Sequence, residues 1–169
     1  MFKPVFTREE EALIRRLNSP AKVQEFLIKE IEYDNQDELK EGEETWRSFR
    51  RVIRDKKAHC LEGALAAAAI MMQHNYPPLI ICMEARDIDH IVFAYKRKNR
   101  WGSVAKSRDE NLLSREPRYR SLKDLVMSYY PFFYNLFSND LTDITMRGYA
   151  KIDLRIFDKD WITTEEDLT

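Results

Sequence analysis

The run Cys60-Leu61-Glu62-Gly63-Ala64-Leu65-Ala66-Ala67-Ala68-Ala69-Ile70-Met71-Met72 constrains this chain more than any other stretch. Small residues almost all round a helix let other elements approach it from several sides, so the pattern predicts a central buried helix rather than an amphipathic surface one. A buried helix needs enough chain to cover it. With 169 residues, 44% of them hydrophobic, the sequence is long enough to enclose one core without disulfide or metal staples, and a single domain over residues 1–169 is the expected organisation. Four Gly and six Pro exclude collagen-like and low-complexity chains, and 12% aromatic residues argue against disorder despite 34% charged residues.

The segments on either side supply the cover. Thr7-Arg8-Glu9-Glu10 has the form of a capping box, predicting a helix to about Leu17. Ser19-Pro20 repeats the start signal, and Val23, Phe26, Leu27 and Ile31 recur at helical spacing. Glu30–Glu44 is acidic, with Asp34, Asn35, Asp37, Glu38, Glu41 and Gly42 offering no apolar stripe, and reads as a surface loop. From Glu44 to about Asp55, Trp46, Phe49, Val52 and Ile53 give one apolar face opposite four arginines. After Tyr76-Pro77-Pro78 the pattern becomes β-rich: Leu79–Met83, Ile91–Tyr95 and Trp101–Ala105 read as an antiparallel hairpin plus a third strand. Ser121-Leu122-Lys123-Asp124 opens a further helix, expected to close the fold at its C-terminal side. The fold class is therefore α+β.

The start of the central helix is where chemistry is expected. A thiol is a nucleophile only as thiolate, and the free N–H groups and dipole of a helix N-terminus favour that negative charge. Cys60 has that position. His90 opens a strand in Asp89-His90-Ile91-Val92-Phe93, where a sheet could hold the ring against the helix as proton acceptor. His59, next to Cys60, projects elsewhere around the helix and would at most flank the site.

The order of these parts resembles the transglutaminase-like branch of the papain-like cysteine enzymes. The matching stretches are Ala58-His59-Cys60-Leu61-Glu62-Gly63-Ala64, the Tyr76-Pro77-Pro78 turn, Asp89-His90-Ile91-Val92-Phe93-Ala94-Tyr95 and Arg100-Trp101-Gly102-Ser103-Val104, about residues 45–107 in all. The resemblance implies a papain-like core with the Cys-bearing helix packed on a small antiparallel sheet. It implies Cys60 as nucleophile, His90 as general acid/base and the Cys60 N–H as part of an oxyanion hole. The activity implied is acyl transfer or amide hydrolysis on a peptide, protein or other amide-bearing substrate. The pattern departs at its third member. About four residues after the tryptophan the family has Asp or sometimes Asn, and this chain has Ala105. Ser103 and Ser107 share that side of an ideal strand and are the candidates to orient the imidazole. Asp109 lies just beyond, and a backbone carbonyl is a further option. The alternative is a catalytically inactive binding module that keeps the fold.

Other classes are weaker. Balanced charge, 28 basic against 29 acidic residues for a net of −1, removes the global argument for nucleic-acid or membrane-surface binding. Ten lysines and arginines do fall in Lys96–Lys123 with Trp101 and Tyr119 among them. A solvated stretch paired with the acidic Glu30–Glu44 segment is the preferred reading of it. Cys60, Cys82, His59 and His90 match no paired-ligand spacing for zinc, so neither metal nor cofactor is expected. Cys82, within an apolar run, reads as core. Tyr129-Tyr130-Pro131-Phe132-Phe133-Tyr134 reads as core with hydroxyls at its edge, or as a peptide-binding wall. Two cysteines and no signal-like start fit a reducing cytoplasm, and no apolar run approaches the ~18 residues of a membrane span.

Overall fold

Thr7 and Glu10 cap the first helix reciprocally: Thr7 Oγ1 accepts from the Glu10 N–H at 3.1 Å and the Glu10 carboxylate accepts from the Thr7 N–H at 2.8 Å. This is α1 (Arg8–Arg16). The computed structural model describes residues 3–36, 39–40, 42–138 and 140–168. Ser19 caps α2 (Pro20–Lys29), with Pro20 in the first turn where its missing N–H costs nothing. The acidic segment that follows is mostly loop, as expected. Within it β1 (Glu32–Tyr33) makes a short parallel ladder with residues 57–58. Asp37, Glu38 and Glu41 of that reading lie outside the described residues.

The helix expected from Glu44 starts later. Ser48 Oγ accepts from the Arg51 N–H at 3.3 Å, and that cap fixes α3 (Phe49–Asp55). Trp46 therefore precedes the helix, 43% exposed, and contributes no apolar face. After β2 (Lys57–Ala58) comes α4 (Cys60–Met72), in which every residue from Gly63 to Met71 is buried, as the alanine-rich run required.

The strands are β3 (Leu79–Ala85), β4 (His90–Arg97), β5 (Arg100–Val104) and β6 (Arg115–Tyr119). After α5 (Leu122–Met127) follow β7 (Tyr134–Asn135), β8 (Asp140–Ile144) and β9 (Met146–Asp153). The main sheet has the order β6-β5-β4-β3-β9 with antiparallel neighbours throughout. Lys98 and Asn99 both take positive φ, 49° and 59°, the two-residue turn whose twist matches a hairpin. Gly102 is needed where β6 closes on β5, because a side-chain carbon there would lie 2.9 Å from the Arg115 carbonyl and the Pro117 nitrogen.

Strand alternation divides the core between the two faces of this sheet. Ile80, Phe93 and Tyr95 pack with α4 and with Val23, Phe26, Leu27, Phe49 and Val52 from the N-terminal helices. Ile81, Met83, Val92 and Ala94 pack on the other face against Leu125, Val126, Tyr129 and Phe133. The expected closing C-terminal helix is corrected: α5 has six residues, lies on the second face, and is followed by β9, which pairs with β3 at the sheet edge.

Among the described residues, contacts of the acidic segment run both to other elements and to the basic stretch. Glu30 pairs with Arg16 at 3.0 Å and Asp34 with Arg47 at 2.7 Å, both outside Lys96–Lys123. Arg108 does reach Asn35 at 3.3 Å. In the acidic tail, Asp167 pairs with Arg51 and Glu165 with Arg54. Among the described residues no helix is long and apolar enough to cross a membrane.

Candidate active site

The first turn of α4 is held by a buried carboxylate. Glu62, with no exposed side-chain surface, accepts from the His59 N–H at 3.1 Å, the Arg47 N–H at 2.8 Å, Thr45 Oγ1 at 2.9 Å and the Arg47 guanidinium at 3.1 Å. Arg47 also binds Asp34 and Asp55. The segment 45–47 is thereby fastened across the helix start, and His59 turns to it, with Nε2 2.9 Å from the Thr45 carbonyl. His59 therefore faces the loop at this end of the helix.

Cys60 opens the helix half-buried, its Sγ 3.9 Å from the Asp89 carbonyl. Burial pushes the thiol above its ordinary value, and the N–H groups of Ile91, Leu61 and Cys60 itself pull the other way. The resting sulfur is a protonated thiol whose anion would find three donors waiting.

His90 opens β4, but the alternation His90, Val92, Ala94 puts its ring on the α5 face of the sheet, not against α4 as expected. There it lies edge-on to Tyr129, ring centroids 5.9 Å apart. Nε2 is 2.7 Å from the Leu112 carbonyl. A carbonyl only accepts, so Nε2 carries the proton and the neutral ring keeps its lone pair on Nδ1. Burial drives the imidazole down to about 4; the Leu112 hydrogen bond opposes this, the Arg115 charge reinforces it, and the Asp109 carboxylate opposes it.

Both residues line one cleft at the end of the sheet, together with Ser107, Asp109, Leu112 and Phe132 among others. Among the described residues, no hydrogen bond joins Sγ to the ring. Ser107 Oγ accepts from the Asp109 N–H at 3.0 Å, and Asp109 Oδ1 accepts from the Asn111 N–H at 2.8 Å, so both shape the loop beside the imidazole.

Ser103 is placed differently. It is buried, accepts from the Arg115 N–H at 3.0 Å and lies 2.6 Å from the Tyr129 hydroxyl. Tyr129 gives its single proton to the Leu113 carbonyl at 2.7 Å, so Ser103 donates to Tyr129. Ser103 thus supports the wall behind the ring and does not touch it. Ala105 is buried, with both its backbone groups bound by the Gln24 amide at 2.8 and 2.9 Å. The ring's partner on the Nε2 side is the Leu112 carbonyl, in place of either serine. The sequence had left a carbonyl open without saying whose, since a backbone atom carries no residue signature.

Cys82 is half-buried on β3, opposite Ile91. Tyr129 and Phe133 are core, and Phe132, Phe133 and Tyr134 line the cleft, so the aromatic segment is both core and wall. Among the described residues no cluster of three or more His, Cys, Asp or Glu could hold a metal ion. Neither a protein-family model nor a curated protein matches the sequence.

Proposed function

We propose that this cleft carries out thiol-dependent acyl transfer or amide hydrolysis on a peptide, protein or other amide-bearing substrate, on a transglutaminase-type, papain-like core. The observation that carries the reading is the shared cleft of Cys60 and His90, with the thiol at a helix N-terminus and the ring proton committed to the Leu112 carbonyl. The free Nδ1 lone pair is the proton acceptor this chemistry needs. As Cys60 Sγ attacks the substrate carbonyl, its proton passes to Nδ1. The developing oxyanion lies near the helix N-terminal N–H groups. Collapse expels the amine, which takes the proton back from Nδ1, and the thioester passes its acyl group to water or to a second amine.

Both groups rest uncharged, the thiol raised and the imidazole depressed by burial. Charge separation therefore accompanies substrate attack and does not precede it. The unpaired thiols at Cys60 and Cys82 suit a reducing, cytoplasmic setting. A second reading has its own support: a buried His90 at about 4, with no carboxylate hydrogen-bonded to its ring among the described residues, suits a cleft that binds a peptide without turning it over.

Intact-mass spectrometry during incubation with p-nitrophenyl acetate separates the two. Catalysis requires an acetyl adduct on Cys60 that forms and then hydrolyses, absent in Cys60→Ser and slowed by about 10² or more in His90→Gln. No adduct specific to Cys60, or equal rates in wild type and His90→Gln, overturns the catalytic reading.

A further inference from the structure

Four consecutive backbone carbonyls precede or belong to the turn into β6, and their partners divide in a telling way. Arg115 takes three of them: Nη2 donates to the Asn111 carbonyl at 2.7 Å, and Nη1 donates to the carbonyls of Leu113 and Ser114, each at 3.2 Å. The fourth, that of Leu112, is the one bound by His90 Nε2. The same guanidinium lies 3.9 Å above the Tyr129 ring, and its Nε and Nη2 donate to Ser128 at 3.1 and 3.3 Å. Tyr129 in turn packs on His90 and donates to the Leu113 carbonyl.

We propose that Arg115 is a positioning residue for His90: by gathering the carbonyls on either side it aims the Leu112 carbonyl at Nε2, and so supplies through the backbone the orienting acceptor absent at Ala105. A planar five-donor fork is suited to this, since it can hold several acceptors in fixed directions at once, whereas a lysine ammonium on a flexible stem cannot. Arg115 also clamps the Tyr129 ring from the side, and the Ser103 hydroxyl holds that ring at its tip. The ring of His90 is thereby fixed on two sides by one guanidinium acting through two intermediaries. The alternative, that Arg115 only stitches β6 to the residue after α5, does not require the Leu112 carbonyl to keep its aim.

The name positioning residue rests on the acyl-transfer reading, but ring fixation is measurable in the resting protein and fails or holds separately from it. Long-range ¹H–¹⁵N correlation spectra at pH 7 report the tautomer of His90. Wild type should show one tautomer, protonated at Nε2. Arg115→Lys, which keeps the charge and loses the fork, and Tyr129→Phe, which keeps the ring and loses the bond to Leu113, should each give averaged or mixed tautomer signals while amide spectra stay dispersed. Arg115→Met should do so more fully; if it does not fold, the lysine and phenylalanine variants decide. A wild-type ring protonated at Nδ1, or a single Nε2–H tautomer retained in folded Arg115→Lys, overturns the proposal. The expected tautomer pattern together with no Cys60 acetylation in wild type would overturn the acyl-transfer reading while ring fixation by Arg115 holds.

Discussion

His90 Nε2 donates to the Leu112 carbonyl across 2.7 Å, and this one bond sets both the tautomer and the direction of a buried imidazole. Its consequence for stability has a definite sign. Burial holds the folded-state value near 4, below the ordinary 6.5. Between these pH values the unfolded chain binds a proton that the folded chain refuses, so stability present above pH 6.5 is lost as pH falls to about 4 and changes no further below it. The gap corresponds to about 3 kcal/mol. Urea denaturation at pH 7 and pH 4 should show wild type losing about that much more than His90→Gln. Equal losses would contradict a buried, neutral His90.

Gly63 lies where the first turn of α4 meets the segment leaving β5. A methyl group there would lie 2.5 Å from Cβ of Lys106. Lys106 cannot easily give way, because its Nζ donates to the Leu27 and Ile31 carbonyls at 2.7 and 2.6 Å. Alanine would gain ~1 kcal/mol of helix propensity, against a packing strain of ~1–3 kcal/mol or more. Gly63→Ala should therefore be neutral to destabilising by about 2 kcal/mol in urea titrations, with chemical-shift changes at Ala105–Ser107. A variant more stable than wild type would show that the contact is not tight.

Arg47 compensates a carboxylate that has no access to water. Removing it as Arg47→Met leaves Glu62 buried with Thr45 and backbone N–H partners only, a loss of ~3–5 kcal/mol by thermal or chemical unfolding. Adding Glu62→Gln should restore part of that loss. If the single variant costs under ~1 kcal/mol, the network does not hold the start of α4 as described.

Much of this arrangement was legible from residue patterns. Continuous small residues marked α4, short β-rich runs marked β3 to β5, and Cys60 and His90 stood at the openings of the elements where they are found. The edges were not legible. β6 carries Arg115, Glu116, Pro117 and Arg118, and β9 carries Arg147, Gly148 and Lys151, because an edge strand needs a ladder on one side and favours charge and proline on the other. Trp46 misled the start of α3, since apolar spacing continued past the point where the Ser48 cap fixes the first turn. Ala105 stands where the resemblance wanted a carboxylate, and the ring's acceptor is a main-chain oxygen seven residues further on, aimed by Arg115 contacts that no spacing encodes.

The face of the sheet that receives the imidazole was misjudged for a related reason. A strand-borne His90 was expected to face the helix, but which face of the sheet α4 covers depends on the whole topology. Cys60 and His90 share a cleft because α4 begins at the end of the sheet, where both faces are open to it.

Whether His90 is the proton acceptor for Cys60 is decided by the pH dependence of Cys60 acetylation by p-nitrophenyl acetate, followed by intact mass in wild type and His90→Gln. A lone pair on Nδ1 is lost only when the ring gains its second proton, so the wild-type rate should fall as pH drops through about 4, not through 6.5. His90→Gln should be slower by about 10² or more across the neutral range. Coincident wild-type and His90→Gln profiles, both rising only as the free thiol ionises at alkaline pH, would contradict that role.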